Sequence, residues 1–323
     1  MITGPGAVEV ATVDDPAPAA GEVVVAVAAC GLCGTDLHIL DGELSELPIV
    51  PGHEFAGEVV AVGAGIDTVR IGDLVAADPN VACGGCRPCR RGQRNLCERY
   101  GAVGVTMPGA AADYVAVAAG ACVRLPAGVD ARDAALIEPL SCAVRGFDVI
   151  RTRLGDRVLV YGAGTMGLLN LALALRAGAA TVDVVDPNAA RLEPARTLGA
   201  RWTAASAADL DLDRWDVVID CTGVVAAIED GLERVAPGGT FLQFGVASPA
   251  ATARWSPYRI YKHEITIVGS MAVLNSFERA ADLFAAGAVD ASLIISDRVP
   301  LADYAAAIDR FRRGISRKIQ VVP

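Results

Sequence analysis

Four cysteines lie close together in the first half of the chain, and their spacing is typical of a metal site. They follow the pattern Cys83-x2-Cys86-x2-Cys89-x7-Cys97, so four sulfurs fall within fifteen residues. Four thiolates complete a tetrahedral shell around Zn²⁺, and a shell filled by protein ligands is typical of a structural metal. An iron–sulfur cluster is the alternative centre for the same ligands.

A second group of metal-binding residue types is formed by Cys33, His53 and Glu54. One thiolate, one imidazole and one carboxylate leave a fourth position of zinc open for water or substrate, as a catalytic metal requires. Cys33 and His53 stand 20 residues apart. Spacing therefore leaves two interpretations open, a catalytic metal site or a cysteine and a histidine buried in a core.

The segment Gly162–Gly167 carries the pattern GxGxxG between a predicted strand and a predicted helix. Gly162 permits a tight turn, Gly164 lets the backbone approach a pyrophosphate, and Gly167 lets the helix pack closely on the strand. The free N–H groups at the helix start hold the diphosphate. We therefore predict a dinucleotide site that also includes Thr165 and Met166.

An acidic residue, Asp186, ends the next predicted strand, 24 positions after Gly162. Such a carboxylate accepts hydrogen bonds from the adenosine ribose and repels a 2′-phosphate, so NAD is favoured over NADP. Arg191 either pairs with Asp186 or lies over the adenine, and in both positions it brings a cation near the ribose. Thr222 is also predicted to contact the cofactor.

The elements that carry these residues fall into two regions. Residues 1 to about 130 contain short apolar runs bounded by Gly and Pro, such as Val23–Val27 and Phe55–Val62, which predict strands of a compact, barrel-like domain. Pro139 disfavours helix at the preceding residue. Glu138 is therefore expected just outside the N-terminus of the helix that follows.

From Asp156 to about Val268, apolar strands alternate with helical segments, which predicts a parallel sheet covered on both faces. A final amphipathic region, about 276–313, precedes a strand at Lys318–Val322. The predicted fold class is α/β. We expect domain ranges of 1–133 and 271–323 for the catalytic domain, with the zinc lobe at 83–97, and 134–270 for the NAD-binding domain.

Composition limits the classes of partner. The chain has 323 residues and a formal net charge of 28 − 38 = −10, which disfavours nucleic acid and anionic membranes. The basic residues Arg87, Arg90, Arg91 and Arg94 offset the charge of the four-cysteine lobe. An odd count of nine cysteines and no apparent signal segment favour a reducing compartment, so we expect a cytoplasmic protein.

Five motifs occur in a characteristic order: Cys33-Gly34-Thr35-Asp36-Leu37-His38, Gly52-His53-Glu54, the four-cysteine lobe, Glu138-Pro139-Leu140-Ser141 and the Gly162–Gly167 loop. In this order the chain resembles the zinc-containing medium-chain dehydrogenases, and within them the polyol (sorbitol and arabinitol) and threonine dehydrogenase branch. The resemblance spans nearly the whole chain. It implies a GroES-like catalytic domain, a Rossmann domain and an active site between them.

The same resemblance implies a role for each matching residue. The catalytic zinc would be held by Cys33, His53 and Glu54, and the structural zinc by Cys83, Cys86, Cys89 and Cys97. Glu138 matches a glutamate that either ligates this zinc or holds a water. Thr35 and His38 match a proton relay, and Asp36 matches the carboxylate that orients His53. Lys318 matches a basic position that contacts the cofactor, and a solvated charge on the last strand is its alternative.

The implied activity is zinc-dependent hydride transfer from a secondary hydroxyl of a small polyol or related alcohol to NAD. An amino-alcohol dehydrogenase, acting on threonine or an aminocyclitol, is the alternative within the enzyme class. A non-catalytic NAD-binding protein that kept the fold is the alternative outside it. The resemblance also implies a homodimer or a homotetramer.

Overall fold

The computed structural model describes every residue, Met1–Pro323. The strands in chain order are β1 (Ile2–Gly4), β2 (Ala7–Val8), β3 (Glu22–Gly31), β4 (Glu54–Val62), β5 (Leu74–Ala77), β6 (Asn80–Val81), β7 (Gly101–Ala102), β8 (Tyr114–Ala118), β9 (Cys122–Arg124), β10 (Arg157–Tyr161), β11 (Thr181–Val185), β12 (Trp202–Ala204), β13 (Trp215–Asp220), β14 (Val235–Gln243), β15 (Thr266–Gly269), β16 (Ile295–Pro300) and β17 (Lys318–Val322). The helices are α1 (Gly34–Leu40), α2 (Arg87–Arg90), α3 (Ala131–Ala134), α4 (Ile137–Val149), α5 (Thr165–Arg176), α6 (Ala189–Thr197), α7 (Val225–Glu233), α8 (Pro257–His263), α9 (Phe277–Ala285), α10 (Ala291–Ile294) and α11 (Tyr304–Arg312).

These elements form two compact units. The first comprises Met1–Ser141, Val273–Gly287 and Ile295–Pro323, and the second comprises Cys142–Ala272 and Ala288–Ile294. No helix combines the length and the apolar character that a membrane span requires.

The first unit is built on a seven-stranded sheet in the order β16-β17-β3-β4-β5-β9, with β8 also paired to β3. Neighbouring strands are antiparallel except β16 and β17, which run parallel. Val23, Val25 and Phe55 point into a continuous apolar core. These inward-pointing side chains agree with the predicted β-rich domain. The strand β3 continues beyond the predicted Val27 to Gly31, shortly before Cys33.

The second unit contains a six-stranded, fully parallel sheet in the order β12-β11-β10-β13-β14-β15. Numbered within the unit, this order is 3-2-1-4-5-6, that of the Rossmann fold. Val158, Leu159 and Val160 are all buried, which explains why β10 is an uninterrupted apolar run. The predicted alternation of strand and helix is therefore confirmed.

One predicted element boundary was wrong. The helix α4 starts at Ile137, so Glu138 lies in its first turn and not before it. Proline is tolerated there because the first turn of a helix does not use its own N–H groups. The strand β14 starts at Val235, and a bulge around Gly238, whose φ is 75°, shifts its pairing with β13 without ending the strand.

Candidate active site

Cys33 stands where the central strand of the first unit passes into a helix. It is the N-cap of α1, and its backbone N–H donates a hydrogen bond of 2.8 Å to Asp36 Oδ2. The Cys33 thiol lies 3.7 Å from the Thr35 hydroxyl oxygen. Capping by Asp36 therefore fixes the turn that presents the thiol and the hydroxyl together.

His53 and Glu54 reach the same region because β4 pairs with β3. Gly31 of β3 stands opposite Glu54 of β4. A Cβ atom at Gly31 would lie 2.3 Å from Glu54 Oε2, so only glycine leaves room for the carboxylate. Gly52, with φ of 101°, makes the turn that precedes His53.

The Cys33 sulfur, a His53 nitrogen and a Glu54 oxygen all lie within 4.8 Å of one another. His53 and Glu54 are 7% and 2% exposed. A buried group with one soft sulfur, one imidazole and one carboxylate fits zinc, and three protein donors leave one position for another ligand. These residues therefore fit the predicted catalytic metal.

The electrostatics of this group favour a cation. Burial by itself would lower the pKa of His53, but its hydrogen bond with Cys33 and the negative charges of Cys33, Asp36 and Glu138 raise that pKa well above its usual value. A metal ion bound here therefore displaces a proton and occupies a place where positive charge is already stabilised.

Asp36 is fully buried beneath the metal-binding group. Burial raises the pKa of its carboxyl, while the charge of His53 and the Cys33 N–H lower it. Asp36 Oδ1 and His53 Nδ1 are both buried and make no hydrogen bond. The structure thus brings Asp36 within electrostatic range of His53, but it does not join the two in the hydrogen bond that orientation of the ring would use.

Lys318, at the start of β17, is 2% exposed and points at Glu54. Its Nζ donates hydrogen bonds of 2.7 and 2.5 Å to the two Glu54 oxygens and one of 2.7 Å to the Leu32 carbonyl. Burial lowers its pKa, but the charge of Glu54, followed by that of Cys33, raises it overall. The alternative interpretation of Lys318 as a solvated charge is therefore wrong, and its three protons are engaged inside the first unit.

The Lys318 pair is compatible with metal binding by Glu54. Each carboxylate oxygen carries two lone pairs, so one oxygen accepts a hydrogen bond and still has a lone pair for a metal. Glu138, 8% exposed, lies close enough for its charge to act on both His53 and Lys318. Its carboxylate is not one of the three donors that lie within 4.8 Å of one another.

The four-cysteine lobe brings its sulfurs together as predicted. The ligand atoms of Cys83, Cys86, Cys89 and Cys97 lie within 4.8 Å of one another. Gly84, with φ of 70°, makes the turn between the first two cysteines, and α2 carries the third. The geometry fits four ligands of one zinc ion.

Backbone and arginine N–H groups stabilise the thiolate form of cysteine in this lobe. Hydrogen bonds from the Gly85 backbone and the Arg99 side chain lower the pKa of Cys83 to about 6, whereas burial raises that of Cys89 to about 12. The Arg99 backbone N–H also donates to Cys97 Sγ at 3.3 Å. Arg99 was missed in the sequence analysis, although its position two residues after the last cysteine is a usable signal.

The dinucleotide loop of the second unit joins β10 to α5. Gly162 has φ of 94°, and Gly164 is the N-cap of α5. A Cβ atom on Gly167 would lie 1.7 Å from the Gly162 carbonyl oxygen, whereas one on Gly164 would meet nothing within 4 Å. Gly167 therefore serves packing, while Gly164 leaves open space over the helix start. Thr165 and Met166 form the first turn of α5.

Asp186 follows β11 and turns its carboxylate toward this loop. It accepts hydrogen bonds from Ala163 N–H at 2.9 Å and from Asn188 N–H at 2.8 Å. Arg191 Nη1 lies 3.9 Å from Asp186 Oδ2, so the predicted pairing of the two is present. These contacts hold Asp186 beside the loop, with further lone pairs left for hydroxyl donors.

Thr222 follows β13 on the other side of the loop. Its hydroxyl donates to Asp220 Oδ1 at 2.6 Å, and a Cβ atom at Gly162 would lie 3.0 Å from Thr222 Cγ2. The second unit therefore gathers Gly162, Asp186 and Thr222 at the carboxyl ends of its parallel strands, where α/β sheets bind ligands.

Comparison with known proteins identifies the family. Residues 19–127 match the model of the alcohol dehydrogenase GroES-like domain, and residues 165–286 match that of the zinc-binding dehydrogenases. The chain belongs to the zinc-containing medium-chain dehydrogenases. Both predicted domain types and the predicted branch are thereby confirmed.

The relatives agree with this assignment. The chain is 35% identical to D-arabinitol dehydrogenase 1 of Uromyces fabae, covering 94% of the chain and 90% of the relative. It is 31% identical to L-threonine 3-dehydrogenase of Aeromonas hydrophila, covering 95% and 94%. A zinc-binding dehydrogenase structure from Sinorhizobium meliloti, bound to NADP, superposes with a TM-score of 0.94 at 33% identity, covering 100% and 98%.

These findings confirm the predicted enzyme class and cofactors. The protein is an alcohol or polyol dehydrogenase that uses zinc and a nicotinamide dinucleotide, NAD, and its substrate is a small-molecule alcohol. The interpretation as a non-catalytic NAD-binding protein is therefore set aside.

Proposed function

We propose that the enzyme oxidises a secondary hydroxyl group of a small polyol, with NAD as hydride acceptor. The observation that carries the proposal is the buried group of Cys33, His53 and Glu54, whose donor atoms lie within 4.8 Å and have a hydroxyl residue beside them. The dinucleotide loop and Asp186 in the same chain supply the acceptor site. The likeness to an arabinitol dehydrogenase supports a polyol as substrate.

In this proposal Cys33, His53 and Glu54 hold the catalytic zinc. Zinc, when bound by these three residues, would lower the pKa of a substrate hydroxyl group and so favour loss of its proton near neutral pH. Glu138 either serves as a further ligand or holds a water beside the site. Lys318 holds the Glu54 carboxylate in place, and this role replaces a direct contact with the cofactor in our proposal.

The protein also has to remove the hydroxyl proton. The Thr35 hydroxyl, beside the Cys33 sulfur, accepts it while passing its own proton to His38, one helical turn further along α1, and His38 then releases that proton to solvent. Asp36 places a negative charge near His53, which would act on the metal that His53 holds, and it fixes the turn at Cys33.

We propose that NAD is preferred over NADP because Asp186 places a carboxylate where the 2′-phosphate of NADP would lie. Gly162, Gly164 and Gly167, with the first turn at Thr165 and Met166, hold the diphosphate. Thr222 lines the loop. The variant Asp186→Ser is expected to lower kcat/KM for NAD by about 100-fold. The ratio of kcat/KM for NAD to kcat/KM for NADP should also fall, because the cation of Arg191 remains near the ribose.

The experiment that tests the function combines metal analysis with a substrate panel. Zinc content is measured for the wild type and for Cys33→Ser, and NADH formation is followed with polyols, diols and amino alcohols. We expect two zinc ions in the wild type and one in the variant, with turnover of polyols lost. Turnover of amino alcohols without polyols would favour the threonine-type activity instead.

Three further properties belong to the proposal. The catalytic domain is assigned to 1–133 and 271–323, and the NAD-binding domain to 134–270. We propose a homodimer or a homotetramer, because β15 is an edge strand whose free backbone groups suit pairing with a second copy. Light scattering of the purified enzyme tests this assembly.

A cytoplasmic location is supported by the nine cysteines, all of which are free.

A further inference from the structure

The helix that carries His38 ends in a turn of defined geometry. Gly42, with φ of 80°, follows the C-cap Asp41. Its N–H donates to Ile39 O at 2.9 Å, and the Glu43 N–H donates to His38 O at 2.9 Å. These two bonds are those of a Schellman motif, which needs a residue that adopts positive φ without strain, and glycine supplies it.

This turn folds the Glu43 side chain back onto His38. Glu43 Oε2 lies 2.6 Å from His38 Nδ1, and the two side chains are 51% and 31% exposed. An ionised carboxylate only accepts hydrogen bonds, so the contact requires a proton on Nδ1. The Nε2 nitrogen of a neutral His38 is then the ring atom that is free to accept a proton.

We infer that Glu43 is a positioning residue for the proton relay. It holds the His38 ring in the tautomer whose Nε2 accepts the substrate-derived proton. When Nε2 takes that proton, His38 becomes an imidazolium, and the carboxylate of Glu43 balances its charge until the proton passes to water. This inference rests on the proposed function, since it assumes that His38 conducts the proton away from the hydroxyl group.

No other charged group of the segment competes for this role. Asp36 is buried and accepts from the Cys33 N–H. Asp41 accepts a hydrogen bond of 2.7 Å from Arg312 of α11. The strand β1, which packs on α1, carries no ionisable side chain. Glu43 is thus the carboxylate in contact with His38.

The kinetic test uses a double-mutant cycle in the zinc-loaded, full-length enzyme. Glu43→Ala is expected to lower kcat about tenfold with KM changed less than twofold, and Glu43→Gln, which keeps an acceptor oxygen, about threefold. In a His38→Asn background, Glu43→Ala should change kcat less than twofold. Glu46→Gln, which removes an exposed carboxylate from the same loop, is the matched control and should leave kcat unchanged.

An equal fall in kcat in Glu43→Ala and in Glu46→Gln would overturn the inference, because a general effect of removing negative charge would then explain both results. The inference would also be overturned if Glu43→Ala lowered kcat as much in the His38→Asn background as in the wild type, since Glu43 would then not act through His38.

A second measurement does not depend on turnover. The chain has three histidines, so ¹⁵N-imidazole labelling gives few signals, and the one lost in His38→Asn belongs to His38. We expect the Nδ1–H tautomer in the wild type and in Glu43→Gln, and a shift toward Nε2–H in Glu43→Ala. An unchanged tautomer in Glu43→Ala overturns the inference. Absence of turnover in the wild type on every alcohol would instead overturn the proposed function.

Discussion

At the scale of single residues, the molecule depends most on how it stabilises buried charge. Lys318 and Glu54 form an ion pair that is almost completely excluded from water. The residue types of the metal group were evident from the sequence, but this pair was not. The two residues are 264 positions apart and meet only because β17 and β4 both pair with β3.

The first prediction concerns this pair. Lys318→Met leaves the Glu54 carboxylate buried without its cation, so the free energy of unfolding of the metal-free protein should fall by about 3–5 kcal/mol. Bound zinc should reduce that loss, because Glu54 then has a cation beside it. Urea unfolding with and without zinc measures both values.

The double variant Lys318→Met/Glu54→Gln is the control. It removes both charges and should regain most of the lost stability in the metal-free protein. Equal destabilisation of the single and the double variant would show that lost packing of the lysine stem, and not an unpaired charge, is the cause.

The same reasoning explains which single residues were missed. Glu43 and Arg99 contact His38 and Cys83, but each is an ordinary charged residue in a loop, and only Arg99, two residues after Cys97, has a position that marks it. Their contacts depend on the path of the backbone around Gly42 and around the four-cysteine lobe, which sequence patterns describe poorly.

At the scale of elements, the structure separates glycines needed for packing from those needed for ligand access. The pattern GxGxxG predicted the strand, loop and helix correctly because apolar periodicity, turn residues and the acidic residue all agree. The position of Glu138 was predicted wrongly, because Pro139 is compatible with helix in a first turn. Proline restricts the backbone only locally, so it marks the start of a helix to within a few residues.

The second prediction compares two glycines of the loop. Gly167→Ala places a Cβ atom 1.7 Å from the Gly162 carbonyl oxygen, so the melting temperature should fall by several degrees, about 2–4 °C per kcal/mol lost. Gly164→Ala meets no protein atom within 4 Å, so its melting temperature should stay unchanged. Both variants should bind NADH at least about tenfold more weakly. In Gly164→Ala the reason is that the added Cβ atom lies where the pyrophosphate must approach the backbone.

Thermal unfolding and NADH fluorescence titration separate the two effects. If Gly164→Ala bound NADH as tightly as the wild type, the close approach of the pyrophosphate to Gly164 would be wrong, whatever the stability of Gly167→Ala.

The third prediction concerns the four-cysteine lobe. With zinc removed, Cys83, whose pKa is about 6, is mostly thiolate above that pH and mostly thiol below it. Its alkylation by iodoacetamide should therefore rise between pH 5 and 7 and then level off, because the thiolate is the nucleophile. Cys89, whose pKa is about 12, should remain almost unmodified over this range.

Peptide mapping by mass spectrometry measures both cysteines in one sample, so Cys89 is the internal control. Protein that retains zinc should be protected at both positions. Equal modification of the two cysteines at pH 7 would contradict the role of the Gly85 and Arg99 hydrogen bonds.

At the scale of the whole molecule, the residues for metal and for dinucleotide belong to different compact units. All seven proposed zinc ligands lie in Met1–Ser141, and the glycine loop, Asp186 and Thr222 lie in Cys142–Ala272. Each unit has its own apolar core around its own sheet. The two groups of binding residues therefore rest on two different apolar cores.

The last prediction follows from this division. Cys33→Ser should lose one zinc ion and lower turnover at least about 1000-fold, yet bind NADH with a Kd within about threefold of the wild type. Gly164→Ala should show the reverse, with full zinc content and weak NADH binding. Elemental analysis gives the zinc content of each of the two variants, and fluorescence titration on the same preparations gives the Kd of each for NADH. Loss of NADH binding in Cys33→Ser would mean that the metal orders the dinucleotide site, and the two sites would then be thermodynamically coupled and not independent.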